Sequence, residues 1–249
     1  PFLVVGGTSR RIAFEHEVFF GYFLASSLVP ALSGSQGALS LLGRGRLDAM
    51  TADLVVQMTH LEDQKSVLAA LSELSRNRHP RRQQIGVNIG ALGAAVLRRS
   101  SRAGVGDGMF IRDLSLSGED LSGVTLTECE FSNVRFDRVD LRGARIISCV
   151  ARNVSFDGML VDGQSTRIEM EGIDISRDVL GIQIEENGLL DLTFDPAKIM
   201  EISREIGMGG EVELKQIVTV RSEVVERIEQ IGKAFRRANP IGINHDRYG

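Results

Sequence analysis

The residues of this sequence that could do chemistry are few and widely separated. A metal centre needs histidines, cysteines or carboxylates at short, regular spacing. The two cysteines, Cys129 and Cys149, lie twenty residues apart, and no histidine stands at ligand spacing from them or from another histidine. The four histidines are His16, His60, His79 and His245. The sequence therefore predicts no metal site.

Acid–base and nucleotide-binding groups are missing as well. The carboxylate pairs Glu119–Asp120 and Glu185–Glu186 have no neighbours that would give the two acids different protonation states, which acid–base catalysis requires. The phosphate-cradling pattern G-x-x-x-x-G-K-S/T does not occur. We therefore predict no catalytic residue and no cofactor in this chain.

The composition is that of an ordinary globular protein. Of the 249 residues, 43% are hydrophobic and 25% are charged, and the formal net charge is -4. No apolar run approaches the ~18 residues of a membrane span, and the mild acidity gives no reason to expect nucleic acid. Two cysteines are too few for a disulfide scaffold, which favours a cytoplasmic location. Residue 1 is Pro and no signal-peptide pattern follows it, so we expect a piece of a longer protein.

A five-residue period dominates the middle of the sequence and fits neither a helix nor a strand. One column, with its members five apart, is apolar throughout: Ile111, Leu116, Leu121, Leu126, Phe131, Phe136, Leu141, Ile146, Ala151, Phe156 and Val161. A second column lies two places earlier and is interrupted only by Glu119: Met109, Leu114, Glu119, Val124, Cys129, Val134, Val139, Ala144, Cys149, Val154 and Met159. Turn-forming and polar residues fill the sites between. The pattern predicts a tube in which two of every five side chains point inward.

The tube is expected to be square. Four five-residue sides close a coil of about twenty residues, and coils stack at roughly 4.8 Å. The expected vertical pairs are Phe131 over Ala151, Phe136 over Phe156 and Cys129 over Cys149. Stacked side chains point the same way, so the Cβ atoms of the two cysteines should lie further apart than the ~3.8 Å that a disulfide prefers. We therefore expect both cysteines to be small, reduced core residues. A stack of about 2.7 coils, about 13 Å long, needs caps at both ends.

The segments EDLSG, VDLRG and VSFDG lie in the run from Met109 to Gly163 and resemble the pentapeptide-repeat family. The resemblance implies a right-handed quadrilateral β-solenoid. Glu119, in an inward column, and Ala151, in place of a larger central residue, depart from the family pattern. The predicted structural core is Leu116, Leu121, Leu126, Phe131, Phe136, Leu141, Ile146 and Phe156.

The N-terminal segment is predicted to form a hairpin of FLVV with Arg10–Phe14, followed by a helix over Glu15–Leu28. The expected apolar face of that helix is Val18, Phe19, Tyr22, Phe23 and Leu28. The residues Phe14, His16, Phe19, Tyr22, Phe23, Ala25 and Leu28 resemble the signature F-x-H-x-x-F-x-x-Y-F-x-A-x-x-L. This signature ends the winged-helix subdomain of NACHT-type (STAND) signalling NTPases, which carry Glu where this sequence has Gly21.

The NACHT resemblance implies a role for His16 in the parent protein. There the histidine would lie near the phosphates of bound ADP and sense the nucleotide state, and the ATPase core would lie upstream of Pro1. The alternative is a histidine that only helps to start a helix.

The segment between the hairpin and the repeats is predicted to be helical. One helix is marked by Leu54, Val55 and Met58, and a second by Val67, Leu68, Leu71 and Leu74. These helices should cap the first coil. The arginines of SRNRHPRRQQ, with Arg98, Arg99 and Arg102, form a basic cluster, which we interpret as a solvated face rather than a phosphate-binding patch because no aromatic residue interleaves it.

After Gly163, RIEMEGIDISRD still alternates and should add strands that close the last coil. A helix is predicted from its cap at Asp195, with Pro196 in the first turn, to a terminator at Gly207. RSEVVERIEQIGKAFRRANP predicts a longer helix. The alternative for this end of the chain is a truncated winged helix that contacts DNA.

The fold class predicted is therefore α+β, with a short right-handed quadrilateral β-solenoid of pentapeptide repeats flanked by helical segments. Residues 1–32 would end a winged-helix subdomain and 33–104 would form a helical linker or cap. Residues 105–178 would form the solenoid and 179–249 a small helical C-terminal domain.

The function predicted is that of a non-catalytic protein-interaction or sensing module, the C-terminal part of a bacterial NACHT-type signalling or defence NTPase. ATP or ADP would bind only in the parent, which would also provide oligomerisation. A protein partner or trigger is expected, with no membrane and no nucleic acid. The expected interaction surface is Arg135, Arg138, Arg142, Arg145 and Arg152.

Two alternatives to this function stay open. One is a DNA mimic acting on a topoisomerase, although nine acids against six arginines between Met109 and Gly163 argue against it. The other is a structural scaffold.

Overall fold

The computed structural model describes residues 3–6, 11–14, 17–32, 35–60, 64–186 and 189–208. All of them lie within one compact unit, Pro1–Gly210. The predicted nucleotide sensor His16 and the predictions made for residues 209–249 lie outside the described residues.

The predicted N-terminal hairpin and helix are present. β1 (Leu3–Gly6) pairs antiparallel with β2 (Arg11–Phe14). The helix α1 spans Glu17–Ala31, so it begins two residues and ends three residues later than predicted.

Four further helices lead to the repeats: α2 (Ser35–Leu42), α3 (Ala49–Gln57), α4 (Gln64–Arg76) and α5 (Arg82–Arg102). The two helices expected from the spacing of leucines and valines correspond to α3 and α4. Asp48 caps α3 by accepting a hydrogen bond from the Thr51 backbone N–H at 2.7 Å. The short helix α2 was not predicted, because SQGALSLL offers too few residues for a periodic pattern.

The apolar face predicted for α1 is wrong at Tyr22 and Phe23 and is confirmed at Leu28. Tyr22 and Phe23 are 50% and 51% exposed, whereas Gly21, Ala25 and Leu28 are buried. A Cβ added at Gly21 would lie 3.0 Å from the Thr51 Oγ1, so the missing side chain lets α1 approach α3 closely. Apolar residues surround the whole of α1, and periodicity therefore does not select its buried face.

The β-solenoid predicted from the five-residue period is confirmed. Its strands are β3 (Phe110–Arg112), β4 (Ser115–Ser117), β5 (Thr125–Thr127), β6 (Glu130–Asp137), β7 (Arg145–Asp157), β8 (Met159–Val161) and β9 (Arg167–Glu171). Successive coils pair in parallel with an offset of twenty residues, so Phe131 lies between Ile111 and Ala151, and Phe136 pairs with Phe156.

The coil has four faces, which we number in chain order. The first face consists of β3, 130–132 and 150–152, and the second of β4, 135–137 and 155–157. The third face aligns Asp120, Asp140 and β8, and the fourth consists of β5, 145–147 and β9. Long strands such as β6 and β7 bend around a corner and contribute to more than one face.

The corners explain why Gly, Asn and Asp are frequent outside the tube. The residue two places after each central residue has a positive φ, between 51° and 68° over residues 113–158. Glycine adopts this conformation without strain, and Asn and Asp tolerate it better than other residues do. Asp113, Asn133 and Asn153 occupy one such corner in three successive coils, whereas Arg138 lies between Gly118 and Gly158 at another.

The solenoid has about four turns, and the prediction of about 2.7 was wrong. The fourth turn pairs Ile168 with Ile146, and Val179 with Phe156. The offsets there are 22 and 23 residues, because the turn at 162–166 and a short helix, α6 (Ile175–Asp178), insert extra residues. The insertions break the five-residue spacing, so the count of about 2.7 coils left this turn out, whereas the strand expected in RIEMEGIDISRD is present as β9.

The C-terminal end of the solenoid closes with a hairpin and a helix. β10 (Ile182–Glu186) pairs in parallel with β8, and β11 (Leu189–Thr193) folds back antiparallel onto β10. The helix predicted between Asp195 and Gly207 is confirmed as α7 (Pro196–Glu205). The Ile206 carbonyl after α7 accepts a hydrogen bond from the Ile168 N–H at 2.7 Å, so this segment covers part of the fourth face.

The first coil is covered by α4, one of the two helices expected to cap it, and by α5, which the spacing of leucines and valines did not mark as a separate helix. A Cβ added at Gly90 of α5 would lie 2.1 Å from the Ser115 carbonyl oxygen, so α5 lies almost on the backbone of β4. Ser101 Oγ accepts a hydrogen bond from the Thr125 N–H at 2.7 Å, and the Arg98 guanidinium donates to the Asp120 carbonyl at 2.9 Å. The cap thereby satisfies backbone groups that an open end would leave unpaired.

Candidate interaction surface

The interior of the solenoid is filled by side chains. Each of the eight predicted core residues is at most 1% exposed. The rings of Phe136 and Phe156 stack at 4.7 Å with a 9° interplanar angle, and the Phe131 ring lies 6.0 Å from that of Phe136. The small side chain of Ala151, paired with Phe131, fits the bulk of that ring. Groups that act on other molecules must therefore lie on the outside.

The two cysteines are free and buried, as predicted. The Cys149 sulfur accepts a hydrogen bond from the Cys129 N–H at 3.3 Å, which places one residue over the other. The side-chain hydrogen bond with Cys129 and burial both raise the pKa of the Cys149 thiol. A thiol held protonated is a poor nucleophile, so Cys149 serves packing.

The five arginines expected to form an interaction surface are not brought together. Arg152 lies on the first face, Arg135 on the second with Arg138 at its end, Arg142 on the third and Arg145 on the fourth. Four of them are ion-paired: Arg135 with Asp157, Arg138 with Asp137, Arg142 with Asp140 and Glu185, and Arg152 with Glu130. Arg145 has no ion-pair partner among the described residues.

A groove between α4 and the first face gathers apolar and cationic groups instead. It has a volume of about 560 Å³, and we call it the α4 groove. Its lining residues are Lys65, Leu68, Ala69, Ser72, Glu73, Arg76, Phe110 and Arg112. Phe110 is 57% exposed although it lies on a strand, and the Arg112 guanidinium carbon lies 5.2 Å from the centroid of its ring.

The two arginines in the row on the first face, Arg112 and Arg152, share one carboxylate. Glu130 accepts from Arg112 at 3.5 Å and from Arg152 at 3.2 Å, so one carboxylate of the second coil links arginines of the first and third. The backbone beneath them is paired in register through all three coils. The row continues the cationic character of the α4 groove along the solenoid.

Asp113 links the helix α4 of the cap to the corner that follows the first strand of the solenoid. Its carboxylate accepts hydrogen bonds from Ser72 Oγ at 2.8 Å, from Arg76 Nη2 at 2.6 Å and from Asn133 Nδ2 at 3.0 Å. Asn153 donates in turn to Asn133 at 2.8 Å, so this series of hydrogen bonds continues into the third coil. Burial opposes ionisation of Asp113, but the hydrogen bonds from Asn133, Ser72 and Arg76 outweigh it and lower the pKa of this carboxyl.

Glu119, the polar residue of the inward columns, lies half-buried beside the cap. Burial raises the pKa of its carboxyl, and the nearby charges of Arg98 and Arg46 offset part of that effect. Arg98 itself is 9% exposed and forms a 2.6 Å ion pair with Asp53 of α3. The departure from the repeat pattern therefore marks the place where cap and solenoid share charged groups.

No cluster of three or more metal-ligating side chains occurs within the described ranges. His79 accepts a hydrogen bond at its Nδ1 from the Arg81 N–H at 3.1 Å, in the loop before α5. The arginines of the basic cluster predicted around this loop do not all lie together. Arg76 lines the α4 groove, whereas Arg98 is buried against Asp53.

The geometry agrees with what a comparison with protein-family models finds. Residues 112–158 match pentapeptide repeats, in eight copies. Comparisons of the chain with curated proteins and with solved structures found no match. Within the part of the chain that the structure describes, no helix has the length and apolar character that a membrane crossing requires.

The pentapeptide repeats account for about a fifth of the chain and end where the regular spacing ends. The fourth turn, the terminal hairpin and the helical cap lie outside the match. The α4 groove combines the first pentapeptide strand with a cap helix, so the repeat pattern alone could not reveal it.

Two features of this surface have signals in the sequence that the five-residue pattern of apolar residues does not capture. Phe110 is an aromatic residue at an outward site of the repeat, where polar residues are the rule. Asp113, Asn133 and Asn153 recur at the twenty-residue spacing of the coil, which places three side chains able to hydrogen-bond in one row.

Proposed function

We propose that this chain is a non-catalytic protein-recognition module that binds its partner in the α4 groove. The observation that supports this most is the exposed ring of Phe110 with the Arg112 guanidinium against it. Aromatic and arginine side chains dominate the binding energy of protein interfaces, above all when a rigid backbone holds them. Pentapeptide repeats are, as a family, often involved in protein interaction.

The charges of the α4 groove define the partner. Lys65, Arg76 and Arg112 line it together with Glu73. Arg76 is paired with Asp113, and Arg112 shares Glu130 with Arg152, so the guanidinium groups outnumber the carboxylates at the edge of the groove by one. A segment with an apolar side chain to pack on Phe110 and acidic side chains on both sides of it fits this lining. We propose a partner protein that presents such a segment.

We further propose that the parent protein is a bacterial NACHT-type signalling or defence NTPase in the cytoplasm, with ATP or ADP bound upstream of Pro1. The resemblance of Phe14–Leu28 to the end of a winged-helix subdomain supports this, as does the succession of a hairpin and a helix there. His16 would then sense the nucleotide, and the parent would provide oligomerisation. The reading frame upstream of Pro1 tests the proposal, because a phosphate-binding loop within a few hundred codons must be present.

DNA mimicry is the weaker alternative. A DNA-like surface needs acids in uninterrupted rows, whereas Glu130, Asp137, Asp140 and Asp157 of the solenoid are each paired with an arginine. The acidic and basic side chains alternate around the described faces.

Peptide selection on the purified full chain tests the proposed function. A random peptide library displayed on phage should yield sequences in which acids flank an apolar residue. Phe110→Ser and Arg112→Glu should each weaken the selected peptides about tenfold or more, since removing such an anchor costs over 1 kcal/mol. Fluorescence anisotropy with labelled peptide gives the affinities.

Arg145→Glu is the matched control, because Arg145 is exposed on the fourth face and is unpaired within the described residues. It makes the same charge change as Arg112→Glu and should leave the affinity within about twofold. Selected peptides that bind both groove variants as tightly as the wild-type chain would contradict the proposal.

A further inference from the structure

We propose that the open edge of β11 binds a second ligand by strand addition: an extended cationic segment of a partner protein. This site is separate from the α4 groove and does not depend on the function proposed for it. The proposal rests on the pairing, the exposed side chains and the charge of the terminal hairpin.

Among the residues that the structure describes, the pairing leaves one side of β11 open. The terminal sheet has the order β11–β10–β8, so within these residues β11 is its last strand and pairs only with β10. In an antiparallel pair, every second residue directs its backbone N–H and C=O away from the neighbouring strand. Among the described residues, no segment accepts from or donates to that side of β11. These groups form a template for a further strand.

At the first and the last coil, hydrogen bonds from neighbouring segments cover other backbone groups of the solenoid, which distinguishes these places from the edge of β11. At the first coil, Ser101 accepts from the Thr125 N–H and Arg98 donates to the Asp120 carbonyl. At the last coil, the Ile206 carbonyl accepts from the Ile168 N–H. Proteins also protect edges with lysine, proline or a bulge. β11, with the sequence LLDLT, has none of these.

Exposed apolar side chains line one face of the strand. Leu190, Leu192 and Phe194 lie two residues apart and therefore point to the same face, with 59%, 44% and 61% of their surface exposed. The polar Gln183 lies between Leu192 and Leu160 in the sheet, so the exposed apolar residues are confined to β11 and the residue after it. An exposed apolar face next to an unpaired strand edge is typical of a binding site.

The charge of the hairpin selects the partner. Residues 182–195 include four acids and no lysine or arginine. Asp191 is exposed and has no ion-pair or hydrogen-bond partner among the described residues. Arg142 reaches Glu185 from the third face, but it is shared with Asp140. The edge is thus acidic and lacks a cation opposite Asp191.

This charge argues against a second copy of the chain as the occupant. If two β11 strands paired antiparallel over their full length, Asp191 would lie opposite Asp191 of the other copy, and like charges placed so are destabilising. A partner strand fits both faces of β11 when its lysine or arginine lies beside Asp191 and the residues before and after that lysine or arginine are apolar. The expected ligand is therefore an extended segment that alternates apolar and basic residues.

Binding of a fluorescein-labelled eight-residue peptide of alternating Val and Lys to the full 249-residue chain tests the site. Asp191→Lys should weaken this peptide about tenfold or more, and it should tighten the matching Val–Glu peptide by a similar factor. Glu128→Lys, the same charge change at an exposed corner of the solenoid, should leave both affinities within about twofold. Thermal unfolding confirms that the variants fold.

Two N-methylated forms of the Val–Lys peptide distinguish strand addition from docking on the apolar face. Methyl groups on alternate amides block one edge of the peptide in the first form and the opposite edge in the second. Strand addition predicts that one form loses binding and the other keeps it. Equal binding of the two forms would overturn the proposal.

Sedimentation of the chain without peptide provides the remaining outcome. Concentration-dependent dimers that Leu192→Lys dissociates, with no binding of the Val–Lys peptide, would overturn the proposal in favour of a second copy. A monomer that binds the peptide supports it.

Discussion

At the scale of single residues, Asp113 connects the cap helix α4 with the first and second coils of the solenoid. It occupies a corner with φ of 54°, accepts hydrogen bonds from Ser72 and Arg76 of α4, and continues through Asn133 into the second coil. Its sequence context is that of an ordinary outward residue of the repeat. Its role follows only from the position of α4, which the repeat pattern does not determine.

Replacing Asp113 by Asn should destabilise the fold by about 1–3 kcal/mol, because Arg76 and Ser72 lose a charged acceptor. The pH dependence should change as well. A carboxyl whose folded pKa lies below its ordinary value of 3.8 stabilises the fold above that value, and this stabilisation is lost as the pH falls through the folded pKa. The wild-type chain should therefore lose more stability than Asp113→Asn between pH 5 and about pH 2.

Urea unfolding followed by circular dichroism at a series of pH values measures this difference. Ser72→Ala and Arg76→Ala each remove one donor and should show part of the effect. Identical pH profiles for the wild-type chain and Asp113→Asn would contradict the role assigned to this carboxylate.

At the scale of elements, the regular part of the fold could be predicted from the sequence and the irregular part could not. The five-residue period placed Phe136 over Phe156 because each coil has the same length. The alternation in RIEMEGIDISRD predicted the strand β9, but the count of coils left out the fourth turn because its insertions change the coil length to between 21 and 23 residues. The buried face of α1 was predicted wrongly at Tyr22 and Phe23 because Gly21 and Ala25 are buried in place of these two rings, and Gly21 lies close to Thr51 of α3.

The contact between α5 and the first coil makes a prediction at this scale. Gly90→Ala would place a Cβ 2.1 Å from the Ser115 carbonyl oxygen. The atoms that would clash belong to the backbone of the first coil, which cannot shift without a large energetic cost. We expect a loss of about 2–4 kcal/mol in the free energy of unfolding, as for other overpacked sites. Chemical denaturation measures it.

Gly86→Ala is the matched control on the same helix. A Cβ at Gly86 meets nothing within 4 Å, so this change should be neutral or stabilise by up to about 1 kcal/mol through helix propensity. Equal effects of the two substitutions would mean that α5 does not lie against β4.

At the scale of the whole molecule, the solenoid is a rigid rod whose interior is filled and whose two ends differ. Helices cover the first end and form the α4 groove with the first face. The last end offers the edge of β11. The sequence indicated a recognition module, but it placed the surface on arginines that the structure distributes over four faces. Residues of α4 and β3 are far apart in the chain, and only the fold brings them together.

Hydrogen–deuterium exchange of the full chain, with and without a peptide selected on it, tests the central claim most directly. Binding in the α4 groove predicts slower exchange in Gln64–Arg76 and in Phe110–Arg112, with little change in the fourth-face strand Thr125–Thr127. Protection confined to the fourth face, or none in α4 and β3, would contradict it.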